Sequence, residues 1–92
     1  RFAPAHRELR IRAGWPGADP AVSGEVHYRN GLSPEWQIAP LVAQDGALRA
    51  VIPAPAVAPP TLSYWIEARD GAGRTRRSGS ADLPFIVRVV RR

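Results

Sequence analysis

Apolar and polar residues alternate along 62–69: Leu62, Tyr64, Ile66 and Ala68 interleave with Ser63, Trp65, Glu67 and Arg69. A period of two places successive side chains on opposite faces of a strand, here one face in a core and one facing out. The run stops at Asp70-Gly71-Ala72-Gly73, where glycine supplies the positive φ angles of a turn. The same alternation recurs at 8–13, with Leu9, Ile11 and Ala13 inward and Glu8, Arg10 and Arg12 outward. In 22–30, Val26 and Tyr28 point inward and Glu25, His27 and Arg29 outward, and in 47–52 Leu48, Ala50 and Ile52 share a face. Residues 36–42 predict a strand that Pro40 confines to an edge or a bulge. Residues 85–90 predict the last strand.

Turn chemistry falls between these runs: 14–20 (G-W-P-G-A-D-P), Asn30-Gly31 with Ser33-Pro34, and Asp45-Gly46. Residues 1–7 read as a linker or a short edge strand, limited by Pro4. Residues 53–60 (P-A-P-A-V-A-P-P) are expected to be extended and polyproline-like, crossing between sheets. Residues 70–82 are expected to form a long Gly-, Ser- and Arg-rich loop. The sum is one all-β domain over 1–92, an antiparallel β-sandwich of about seven strands with no helix.

The ordered motifs L-R-I-R-A, V-H-Y-R-N-G followed by Trp36, A-V-I-P, and Y-W-I-E-A-R-D-G-A-G resemble bacterial immunoglobulin-like and fibronectin type III-like modules over about 9–90. The resemblance implies a sandwich with a modular role in a larger secreted, periplasmic or cell-envelope protein. It carries over no binding residues: the paired cysteines and central tryptophan of antibody domains are absent, and Arg69-Asp70-Gly71 is not the integrin-binding order.

With no cysteine, disulfides, thiolate metal sites and cysteine nucleophiles are excluded. The absence of methionine and the start at Arg1 lead us to expect an excised or mature piece. No apolar run approaches the roughly 20 residues of a membrane-spanning helix. All 13 basic residues are arginine, which with abundant Ala, Gly and Pro suggests a GC-rich bacterial genome. Residues 1–68 carry six Arg and six acids, whereas 69–92 carry seven Arg and two acids, so the whole net charge of +5 lies in the last quarter.

Trp65, Glu67 and Arg69 share the outer face of the 62–69 strand and are the candidate partner-binding residues, Trp65 as anchor and the charges as steering groups. Arg74, Arg76 and Arg77 are the candidate anion-binding residues, for a polysaccharide or another anionic surface. Nucleic acid is not expected, because no aromatic residue interleaves these arginines. Tyr64 is expected in the core or as a tyrosine corner, Trp15 as a plug at one end, and Trp36 in the core or at its edge. His6 and His27 lack ligand spacing, and Asp19, Asp45 and Asp70 each suit a turn, so no metal or cofactor is expected. Catalytic motifs are absent. A non-catalytic accessory module that docks neighbouring domains or another protein is the leading expectation. A carbohydrate-binding module is the alternative, and it requires two coplanar exposed tryptophans, Trp65 with Trp15 or Trp36. A polyanion binder using the arginines is the third reading.

Overall fold

The computed structural model describes residues 2–14, 23–31 and 33–91. Expectations for Trp15, Asp19 and most of the 14–20 turn fall outside these residues. Eight strands are described: β1 (Phe2–Pro4), β2 (Leu9–Ala13), β3 (Ser23–Asn30), β4 (Gln37–Gln44), β5 (Ala47–Ile52), β6 (Thr61–Arg69), β7 (Thr75–Ser78) and β8 (Phe85–Val90). The all-β class expected from the sequence holds. The strands form one sheet in the order β1-β8-β6-β3-β4-β5-β2, with β7 also paired to β6. This sheet is nearly closed and barrel-like, because β4 hands the ladder from β3 to β5 instead of ending one of two separate sheets.

The inward positions read from the sequence form one core. Val26, Ile52, Val57 and Leu62 are fully buried, and Ile11, Leu41, Leu48, Val87 and Val89 pack with them. Burying each such side chain contributes roughly 1.5–3 kcal/mol. Tyr64 is a core ring, stacked at a tilt on Phe85 with 5.3 Å between centroids. Across the open side of the sheet, Ile11 and Ala13 of β2 face Tyr64, Ile66 and Phe85 over a 340 Å³ cleft.

Local chemistry explains the connections. Asp45 and Gly46 take φ of 53° and 78°, and Gln44 pairs with Ala47, which is the two-residue hairpin turn that Asp-Gly favours. Pairing of β4 with β5 spans only Val42–Gln44 on β4, beyond Pro40, which has no N–H to give a ladder. β1 is an edge strand, as Pro4 requires, and runs parallel to β8.

Two connections depart from expectation. Ala54–Ala56 is a single 3₁₀ turn, not extended chain, and it drives Val57 into the core. Proline's fixed φ suits a 3₁₀ start as well as polyproline, and the missing N–H of Pro55 lies where a helix start leaves N–H groups without partners. The segment still crosses from β5 to β6, and Asn30 Nδ2 holds it by donating to Ala58 O at 2.6 Å. The 70–82 stretch is not one loop, since β7 occupies Thr75–Ser78. With all four residues exposed, β7 has no apolar alternation to betray it, and only its ladder to β6 defines it.

Gly24 of β3 lies opposite Ala68, and a Cβ there would collide with the Glu67 and Ala68 backbone of β6. Gly24→Ala is therefore expected to lower the unfolding free energy by about 1–3 kcal/mol in urea titration. Gly14→Ala, where a Cβ meets nothing within 4 Å, is expected to stay within about 0.5 kcal/mol of the parent.

Candidate functional site

The β3–β6 register, eight residue pairs from Ser23↔Arg69 to Asn30↔Leu62, aligns the outward positions of two strands, and β4 extends the rows. Trp65, His27 and Ile38 form one row across β6, β3 and β4. Glu67, Glu25 and Pro40 form the next, and Arg69, Ser23 and Val42 the third. Trp65, Glu67 and Arg69 thus lie on one outer face, with the β3 and β4 residues beside them.

Trp65 is half-buried within a cluster. His27 stacks on it with 3.9 Å between centroids and a 4° interplanar angle. Trp36 meets it edge-on at 6.5 Å and 82°, and the Arg29 guanidinium sits 4.4 Å from the Trp36 ring centroid. Gly79, at φ 75°, lies so close that a Cβ would be 3.2 Å from Trp65 Cβ. Trp65 Nε1 is buried with no protein acceptor among the described residues. Trp36 belongs to this outer cluster and not to the core, which corrects the expectation for it; it sits just before β4, outside the buried set. The two described tryptophans are nearly perpendicular, so together they form no flat platform for a sugar ring.

The charges beside Trp65 bind one another. Arg69 Nη2 donates to Glu25 Oε2 at 2.8 Å and Oε1 at 3.0 Å, and its Nη1 donates to Glu67 Oε1 at 3.1 Å. Arg77 Nε donates to Glu67 Oε2 at 2.9 Å. Glu25 and Glu67 are cross-strand neighbours whose like charges would repel, and Arg69 between them turns the pair into a tie across β3 and β6. These hydrogen bonds, first that to Glu25, hold Arg69 more firmly in its charged form than an ordinary arginine.

The arginine cluster is spread over a turn and a strand. Arg74 closes the β6–β7 turn, its Nε donating to Asp70 Oδ2 at 2.7 Å. Asp70 Oδ1 accepts the backbone N–H of Ala72 and of Arg74, both at 2.9 Å. Arg76 and Arg77 lie on β7 opposite Ala68 and Glu67, so they point to opposite faces, and the cluster converges on no common point.

A 760 Å³ groove opens where β4 and β5 part, with His6, Glu8, Tyr28 and Val51 among its walls. Among the described residues no three His, Cys, Asp or Glu side chains gather as a metal site, and no helix is long and apolar enough to cross a membrane. Sequence reasoning found the outward residues of β3 and β6 separately but missed that the strands are neighbours. It also missed Ile38 and Val42, because Pro40 obscured the alternation of β4. Comparison of the chain with protein-family models, curated proteins and solved structures gave no match.

Two outcomes follow from this geometry. Trp65→Phe keeps a ring against His27 and removes the orphaned donor, so it should cost less than about 1 kcal/mol, whereas Trp65→Ala should cost about 2 kcal/mol or more in urea unfolding. Asp70 titrates below its ordinary value, first because it accepts the Arg74 backbone N–H. Its contribution is full above the unfolded value of about 3.9 and is lost as pH falls through the lower folded-state value. Asp70→Asn should therefore flatten the fall in thermal midpoint below about pH 4, as followed by circular dichroism.

Proposed function

We propose that the chain is a non-catalytic interaction module, a spacer and docking surface of a larger secreted, periplasmic or cell-envelope protein, of immunoglobulin-like or fibronectin type III-like type. The strand order supports that type: β8-β6-β3-β4 matches the G-F-C-C′ side of such a sandwich, and β5-β2 the E-B side. The observation that carries the docking role is the outer face of β8, β6, β3 and β4. Ile38, Val42 and Ile86 are 58%, 54% and 55% exposed there, flanking the Trp65–His27 stack and the Glu25–Arg69–Glu67 network. Apolar side chains grouped in this way mark an interface rimmed by charge. The partner is a neighbouring domain or another protein, which would bury the isoleucines and valine while Trp65 stiffens the face beneath. The perpendicular tryptophans favour a protein partner over a sugar.

Benzoylphenylalanine placed at Val42, and separately at Arg12 on the outer side of β2, tests the reading in the protein expressed in its native host. A defined crosslinked product at position 42 and none at position 12 is the expected result. Equal labelling at both positions, or none at 42, would reject the docking face.

A further inference from the structure

The end of β6 carries β7, and β7 pairs with β6 alone among the described residues. Its second side therefore presents backbone N–H and C=O groups with no strand partner among those residues. Edges of this kind are templates for another strand unless something deters pairing. β7 contains no proline, and its four residues, Thr75, Arg76, Arg77 and Ser78, are all exposed. What deters a partner here is charge, and charge deters selectively.

A second copy of β7 laid against the first would bring Arg76 and Arg77 against the same pair, and like charges set opposite one another across a ladder destabilise it. An acidic strand meets the reverse situation. Arg77 lies in the row of Glu67 and Arg76 in the row of Ala68, so the two arginines project to opposite faces of the sheet. A complementary strand carries two adjacent acids, one for each face, since its own side chains alternate in the same way. Arg74 adds charge at the turn end. Arg74 and Arg77 each engage an acid through Nε, yet their side chains remain 83% and 64% exposed.

We propose that β7 is an addition edge for an extended acidic polypeptide segment, with backbone pairing along Thr75–Ser78 supplying register and the arginines selecting adjacent carboxylates. This site lies on the sheet's edge and is independent of the docking face proposed above. Loss of one reading leaves the other standing.

The test uses a fluorescein-labelled eight-residue peptide with a central Glu-Glu flanked by Thr and Val. Two further versions are N-methylated on alternate amides, and a fourth carries Gln-Gln in place of Glu-Glu. Fluorescence anisotropy should show saturable binding of the parent peptide that weakens with salt. One N-methylated version should bind like the parent and the other about tenfold more weakly, because only one set of amides can face β7. The Gln-Gln peptide should also lose about tenfold. Amide exchange in the complex should slow at Thr75–Ser78, and Val42→Ser on the docking face should leave the affinity unchanged. No binding, equal binding of both N-methylated versions, or equal binding of the Gln-Gln peptide would overturn the proposal. So would full displacement by inorganic polyphosphate with no change in exchange at β7, which would mark the arginines as a plain polyanion surface.

Discussion

Everything in this domain is referred to β6. It is bonded along one side to β3 over eight residue pairs, and along the other first to β8 at Thr61–Tyr64 and then to β7 at Ile66–Arg69. A strand bonded on both sides must satisfy its neighbours' ladders as well as its own, and one slipped residue would send Leu62, Tyr64, Ile66 and Ala68 from the core to solvent. Gly24 shows how tightly this register is held, since a single methyl there would part β3 from β6. The same register that fills the core also aligns Trp65 with His27 and Glu67 with Glu25, so packing and candidate site are two faces of one constraint.

Charge is organised by that constraint too. The sequence places +5 in its last quarter, which suggests an open basic patch. In the fold, Arg69 and Arg77 fasten Glu25 and Glu67 across three strands, and Arg74 closes a turn on Asp70. Isolated pairs at a surface contribute little, but a bridged network beside a half-buried ring fixes side-chain direction and strand order. Arg74, Arg76 and Arg77 nonetheless keep exposed side chains in a row along the β7 edge, which suits an extended partner better than a compact anion.

The strands that alternate cleanly were legible from sequence. β2, β3, β5 and β6 declare their inward residues by period two, and Asp45-Gly46 declares its hairpin. β7 was illegible because a fully exposed strand has no hydrophobic period, and its existence depends on a ladder to residues six to twelve positions earlier. The 3₁₀ turn at Ala54–Ala56 was illegible because the same proline φ serves both conformations and the burial of Val57 decides between them. Trp36 was misplaced because its neighbours, Arg29 and Trp65, come from strands whose adjacency no local pattern encodes. Half of the site was therefore readable as faces of single strands, and the half that depends on which strands are neighbours was not.

Native-state hydrogen exchange, resolved by residue, tests the central role of β6 most directly. Amides of consecutive residues 62–67 of β6, whose N–H groups alternate between β3 on one side and β8 and β7 on the other, and those of 25–28 in β3 should open only with global unfolding, sharing its free energy and its urea dependence. Amides of β1 and β7, at the margins of the sheet, should open locally and sooner. Exchange from β6 at a lower free energy than from β2 or β5 would mean that the fold is held elsewhere, and the account of both the core and the outer face would fail with it.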